Sequence, residues 1–324
     1  MIDSTKTGVL IAAIFILSIS GLAFGQTKGK PVKLPVRYDA HRFYVEPVTT
    51  DGEKLSFFTD TGGGLFVFAD TVEKLKLPVE SVSEGERKME LIVLPKFKAG
   101  TEIPAPLGAT SEKIFVSPTS QRMALAKDWS GMLGQQWFAG RVWTFDYPNK
   151  QLLLRAVGDV PTVKPEHRAA LGFKTTADGK RAINFPRITV KIDGEPLDLL
   201  FDTGASTELT EAALKTLNDK QPAVRGTSFI TTSVFEKWRK AHPDWRVIEA
   251  AEARSNAAMI EVPDIEIGGY RTGAVWFTVR LDKNFHEYMS QWMDKRVEGA
   301  IGGNALRYFR ITVDYPNAVA VFEK

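Results

Sequence analysis

The chain has 324 residues, 44% hydrophobic and 25% charged, with a net charge of +3. That is enough apolar material for two packed cores and argues against disorder, while the charge is too small and scattered to mark nucleic acid as a partner. The absence of cysteine removes a disulfide scaffold, a thiol nucleophile and a Cys-ligated metal together. At the N-terminus Lys6 precedes an apolar run from Val9 to Phe24, and Ala23-Phe24-Gly25 fits a signal-peptidase site that leaves Gln26 as the new N-terminus. The alternative, an uncleaved anchor, needs about 20 apolar residues, more than this run supplies. Residues 1–25 are therefore expected to direct export to the periplasm or outside, leaving no stable membrane span. Residues 26–35, with Pro31 and Pro35, read as a linker.

The first unit, 36–160, opens with Phe43-Tyr44-Val45, a turn at Asp51-Gly52 and the apolar stretch Leu55-Ser56-Phe57-Phe58-Thr59 leading to Asp60-Thr61-Gly62. Asp-Gly between apolar runs is a strong hairpin signal. Gly63-Gly64 and the short strand Leu65–Phe68 follow, then a helix through Leu75 with Asp70 as its expected N-cap. Ser81–Met89 reads as a hairpin turning at Glu84-Gly85. Residues 161–168 join this unit to the second, 169–324, which repeats the plan: Ile188-Thr189-Val190, a turn at Asp193-Gly194, then Leu199-Leu200-Phe201-Asp202-Thr203-Gly204-Ala205. Thr210 is placed to cap a helix over Glu211–Leu217, and Ile248–Met259 matches the first unit's hairpin.

The two units keep register. Asp60 and Asp202 lie 142 residues apart, as do Asp51 and Asp193. Leu94–Gly100 matches Val262–Gly268 at an offset of 168, which also places Gly131-Met132-Leu133-Gly134 on Gly299-Ala300-Ile301-Gly302 and Asp146-Tyr147-Pro148-Asn149 on Asp314-Tyr315-Pro316-Asn317. Such spacing implies a tandem duplication. The growth of the offset puts a 26-residue insertion between Ala205 and Met259, and the amphipathic segment Ser233–Ala241 is read as part of it. Trp238, His242 and Trp245 are aromatic side chains suited either to line a cleft or to pack the lobe.

An apolar run, Asp-Thr-Gly and a later apolar-apolar-Gly segment, present twice between about Val36 and Phe322, resemble the aspartic proteases of the pepsin and retropepsin type. The Ala after Asp202-Thr203-Gly204, and the short units, are closer to bacterial retropepsin-like proteins. The resemblance implies an all-β, bilobal barrel fold with short helices, in which each lobe brings one Asp to a shared cleft and the covalently joined lobes work as a monomer on a peptide or protein substrate. It implies Asp60 and Asp202 as the catalytic pair and Thr61, Gly62, Thr203 and Gly204 as their support; Gly63, Gly64 and Ala205, beside the turns, are expected cleft positions, and Trp238 is a further one by residue type alone. No cofactor or metal is implied. The first loop departs from the pattern: Gly63 stands where the family has Ser, Thr or Ala, and Thr59 replaces an apolar residue. Lacking a hydroxyl at Gly63 or Ala205, the pair is expected to hold its proton to higher pH than pepsin's.

Other chemistries find no support. The four histidines show no His-x-x-x-His spacing, and no Gly-x-Ser-x-Gly elbow or phosphate loop occurs. The competing functional reading is a non-catalytic peptide-binding or envelope scaffold on the same duplicated fold.

Overall fold

The structure, a computed structural model, describes residues 29–85, 87–107 and 112–324. The signal-like run Val9–Phe24 and the expected cleavage site lie outside the described residues. No helix among the described residues is long and apolar enough to cross a membrane.

The fold is almost all strand, with short helices α1 (Ala69–Leu75), α2 (Gln135–Phe138), α3 (Glu211–Leu217), α4 (Thr232–Ala241) and α5 (Gly303–Leu306). In the first lobe, Phe57–Thr59 lies parallel to Gly131–Leu133, with Phe58 opposite Met132. In the second, Glu195–Phe201 lies parallel to Gly299–Ile301, with Leu200 opposite Ala300. Each apolar strand therefore ends beside a Gly-bounded apolar triplet, and the aspartate that follows is handed to the turn by that neighbour.

Between the lobes Val142–Asp146 pairs antiparallel with Arg310–Asp314. Thr144 faces Thr312, with their hydroxyl oxygens 2.8 Å apart, so positions related by the offset of 168 meet about a local two-fold. Both strands run into Asp-Tyr-Pro-Asn turns in which the aspartate accepts from the backbone of the asparagine: Asp146 from Asn149 at 3.1 Å and Asp314 from Asn317 at 3.0 Å. These two aspartates are structural. The stretch Pro31–Pro35 is extended, but it is tied down: Val32–Lys33 pairs with Gln151–Arg155, and Leu34 is buried.

The ladder narrows the place of the insertion within Ala205–Met259 and takes Ser233–Ala241 out of it. Phe66 pairs with Met132 and Val67 with Gly131, while Phe229 pairs with Ala300 and Ile230 with Gly299. Phe229 is thus the counterpart of Phe66, and α4, which follows its strand, is the counterpart of α1. The offset rises from 142 at Gly62 and Gly204 to 163 at Phe66 and Phe229, so 21 of the added residues fall directly after the Asp202 turn. They form an excursion: strand Ser206–Glu208, α3 and strand Val224–Gly226, closed where Thr227 N donates to Ala205 O at 2.9 Å. The segment Ser233–Ala241 belongs to the shared plan and not to the insertion.

Thr210 caps α3 as expected, its hydroxyl accepting from Ala213 N at 3.2 Å. Asp70 does not cap α1. The helix starts earlier than expected, with Phe68 as N-cap and no side-chain bond, so Asp70 stands at its second residue and takes two bonds from Arg122 Nη2 at 2.6 and 2.7 Å.

Trp238 lies in the core rather than on a cleft. It is 4% exposed on the inner face of α4, edge-on to Phe277 with ring centroids 5.5 Å apart and near Trp245 at 5.9 Å. His242 stacks on Trp245 and sets Nε2 2.7 Å from Asp193 Oδ2, tying α4 to the Asp193-Gly194 turn. Trp238→Ala is expected to cost about 3 kcal/mol or more of unfolding free energy, the range for truncating a buried tryptophan. Chemical denaturation measures it, and a loss below about 1 kcal/mol, the size of an ordinary surface change, would contradict the core placement.

Candidate active site

Asp60 and Asp202 begin their turns with matching backbone bonds: Asp60 N donates to Leu133 O at 3.1 Å and Asp202 N to Ile301 O at 3.0 Å. Inside each turn the carboxylate accepts from the glycine two residues on, Asp60 Oδ1 from Gly62 N at 2.8 Å and Asp202 Oδ1 from Gly204 N at 3.0 Å. These bonds fix the orientation of the carboxyl group within each turn.

The threonines join the loops across the lobes. Thr61 N donates to Thr203 Oγ1 at 3.2 Å and Thr203 N donates to Thr61 Oγ1 at 3.0 Å, while Thr61 Oγ1 itself donates to Phe201 O at 2.6 Å. Both threonines are buried, so bonds of this kind are hard to replace with water. The glycines permit the approach: a Cβ on Gly62 would stand 2.7 Å from Asp202 Cγ, and one on Gly204 only 2.2 Å from Asp60 Cγ. Each carboxyl thus rests against the glycine of the other lobe, which brings the two carboxyls close enough to interact.

Asp202 is 9% exposed and Asp60 is partly buried. Burial pushes both acids above the ordinary carboxyl range. Asp202 goes well above it, because the charge of Asp60 adds to burial, against the opposing bonds from Gly204 and Ala205. One proton is therefore shared by the pair.

The departures in the first loop have structural reasons. A Cβ on Gly63 would meet Asp60 Oδ2 at 2.5 Å and Met132 Sδ at 2.6 Å, so the methionine and the carboxyl fill the space a side chain needs. Thr59 is fully buried and spends its hydroxyl on Phe43 O at 2.9 Å, which makes a polar residue affordable in the strand. Gly64 lies close behind the turn, where its carbonyl would be 2.0 Å from a Cβ on Gly134. Ala205, read as a cleft position, is 3% exposed and packs behind the Asp202 turn, its methyl against Gly302.

Two residues escaped the sequence reading. Tyr147 and Tyr315, the tyrosines of the repeated Asp-Tyr-Pro-Asn, are buried, and neither hydroxyl has a hydrogen-bond partner among the described residues. Burial holds both phenols far above their usual range, with the charge of Asp202 adding to it at Tyr147 and that of Asp60 at Tyr315. Each thus lies near the aspartate of the other lobe. Their identical positions in the repeat were the available signal. A cavity of about 410 Å³ lined by Asp193, His242, Trp245 and Arg271 shares no residue with the aspartate turns. Among the described residues no group of three His, Asp or Glu side chains could hold a metal ion.

The raised acid has a sign that stability can read. A carboxyl whose folded pKa lies above its unfolded value of 3.8 contributes fully below that value, and its contribution is lost as pH rises through the folded one. Asp202→Asn keeps an acceptor for Gly204 and cannot ionise. It should raise stability at pH 7 by about 1 kcal/mol or more and give no gain at pH 3, on thermal or denaturant unfolding. An equal effect at both pH values would contradict the raised acid.

No protein-family profile matches this sequence, and no curated protein matches it. Solved structures do resemble it. The aspartic proteinase from Irpex lacteus superposes with a TM-score of 0.51 over 91% of this chain and 97% of its own, at 12% identity. Basic 7S globulin from soybean gives 0.45 over 91% and 96% at 11% identity, and EDGP gives 0.43 over 92% and 96% at 12%. At such identities the likeness is one of fold, and the chain carries the bilobal, β-rich fold of the pepsin-like aspartic proteinases.

Proposed function

We propose that the chain is an aspartic endopeptidase of the retropepsin-like kind, exported by residues 1–25, that hydrolyses peptide bonds as a monomer. The observation that carries this reading is the meeting of Asp60 and Asp202, each seated on the other lobe's glycine. Two joined carboxyls of which one is ionised are a general base and a general acid in one place.

In this reading a water lies between the two carboxyls and a substrate carbonyl above them. Asp60 takes a proton from the water as its oxygen bonds to the carbonyl carbon, and Asp202 gives its proton to the carbonyl oxygen. The product of that step is a neutral gem-diol, so no strong charge develops in the cleft. Asp60 then returns its proton to the amide nitrogen while Asp202 recovers one from a diol hydroxyl, and the C–N bond breaks. Both carboxyls end as they began. The bonds from Gly62 N and Gly204 N orient the carboxyls throughout, and the threonine exchange holds them at one separation.

Raised carboxyl pKa values, without a hydroxyl at position 63 or 205, place the working range at mildly acidic to neutral pH. The test is digestion of an unfolded protein from pH 2 to 8 by the chain from Gln26, beside Asp60→Asn and Asp202→Asn. Each substitution should lower cleavage by about 10³-fold, within the 10² to 10⁴ that a positioned acid or base contributes. A profile peaking near pH 2 would contradict the proton assignment. Equal cleavage by the variants, or none by the unaltered chain, would favour the peptide-binding scaffold.

A further inference from the structure

The first lobe touches the back of the Asp202 loop through the tip of one hairpin. Val36–Asp39 and Arg42–Val45 are joined by a two-residue turn of Ala40 and His41, at φ 44° and 69°. Turns of this type favour Asn and Gly, so the Ala-His tip holds a backbone conformation that its own residues do not prefer. What keeps it there comes from the other lobe. Ala40 O accepts from Gly226 N at 2.8 Å, and Arg42 Nη2 donates to Val224 O at 3.0 Å. A Cβ on Gly303 would lie 2.0 Å from His41 O, so the tip presses on a glycine one residue beyond Gly302. Gly302 in turn packs against Ala205, and Ile301 O receives Asp202 N.

The imidazole sits between two partners. Nδ1 is 3.2 Å from Tyr38 Oη, and Nε2 is 3.2 Å from Arg307 Nη1. A guanidinium can only donate, so Nε2 must be the bare nitrogen and Nδ1 carries the proton, donating to the Tyr38 hydroxyl. A second proton would turn the Arg307 contact into two donors and two positive charges face to face. Asp219 alone among the groups facing the ring opposes this repulsion. From its own hairpin His41 faces Tyr38 and Arg42, from the excursion Arg225 and Asp219, and after α5 Arg307. Asp219 is already spent on Arg225 at 2.6 Å.

We propose that this tip is an acid-released latch between the lobes: neutral His41 holds the hairpin against the segment behind Asp202, and protonated His41 lets it go. His41 is then a positioning residue for Asp202, a consequence that rests on the endopeptidase reading, whereas the latch itself does not. The sign follows from the surroundings. Burial, then the charges of Arg307 and Arg225, lower the His41 pKa from 6.5 to about 4. Docking is therefore at full strength above pH 6.5 and weakens from there down to pH 4.

The Gly226 amide, bonded to Ala40 O, reports the latch by hydrogen exchange in the full chain. After correction for intrinsic rates, its protection should fall about thirtyfold from pH 7.5 to pH 5, if opening exposes His41 to water. His41→Gln retains an acceptor for Arg307 and does not titrate, so its protection should change less than about threefold over the same range. Arg307→Gln removes the opposing cation and should give a fall smaller than that of the unaltered chain. A flat profile in the unaltered chain, or an equal fall in His41→Gln, would overturn the latch. If that variant does not fold, an equal fall in Arg307→Gln overturns it. In the digestion assay, cleavage by His41→Gln should persist about one pH unit further into acid than that of the unaltered chain. If the unaltered chain cleaves at no pH, the endopeptidase reading fails, and exchange at Gly226 decides the latch alone.

Discussion

Two carboxyl groups removed from water face a large desolvation cost, and when they face each other that cost is met only if the pair keeps a proton. Most of the conserved geometry between the halves of this chain serves to hold Asp60 and Asp202 in that situation. Neither lobe can build it alone, since the glycine against each carboxyl and the hydroxyl over each turn belong to the opposite lobe. The pairing of Val142–Asp146 with Arg310–Asp314 lies under this arrangement and fixes the lobes about the axis on which the carboxyls meet. Backbone ladders thus align the lobes, and the threonine exchange on the two turns sets the separation of the carboxyls.

The halves are alike in plan and unlike in how they are filled. In the first, Met132 occupies the space beside Gly63, and in the second a methyl at Ala205 faces Gly302. The second half also leaves the shared plan at Ser206 and returns at Thr227, and the excursion meets the Ala40-His41 tip at Gly226 and Val224. The asymmetry therefore falls on the contact between lobes. A fold whose dyad depends on lobe alignment becomes sensitive to any charge placed in that contact, and His41 is the titratable group there with a cation on its far side.

What the sequence made legible were the short motifs at constant spacing. Asp-Thr-Gly repeats at an offset of 142 and Asp-Tyr-Pro-Asn at 168, and the second offset is the one that the pairing of Thr144 with Thr312 sets on the axis between the lobes. The Asp193-Gly194 hairpin was equally plain, because both residues occupy left-handed conformations that their types favour. The insertion was bounded but misassigned in detail: an offset counts residues, and only the pairing of Phe66 with Met132 and of Phe229 with Ala300 shows which strand replaces which. Asp70 failed as a cap because the helix begins one residue before it, at Ala69. Trp238 showed that an aromatic face existed without showing where it pointed. His41 gave no signal, since Ala-His carries none of the usual turn chemistry and its constraints come from Gly226, Gly303 and Arg307 in the other half.

The central claim is that Asp60 and Asp202 titrate as one unit. Carbon-13 NMR of the Asp202 carboxyl between pH 3 and 9, in the unaltered chain and in Asp60→Asn, tests it directly. With the Asp60 charge gone, the Asp202 midpoint should drop while burial keeps it above the ordinary carboxyl range. A midpoint that does not move on removing Asp60 would mean that the two carboxyls do not share a site, and the account would fail.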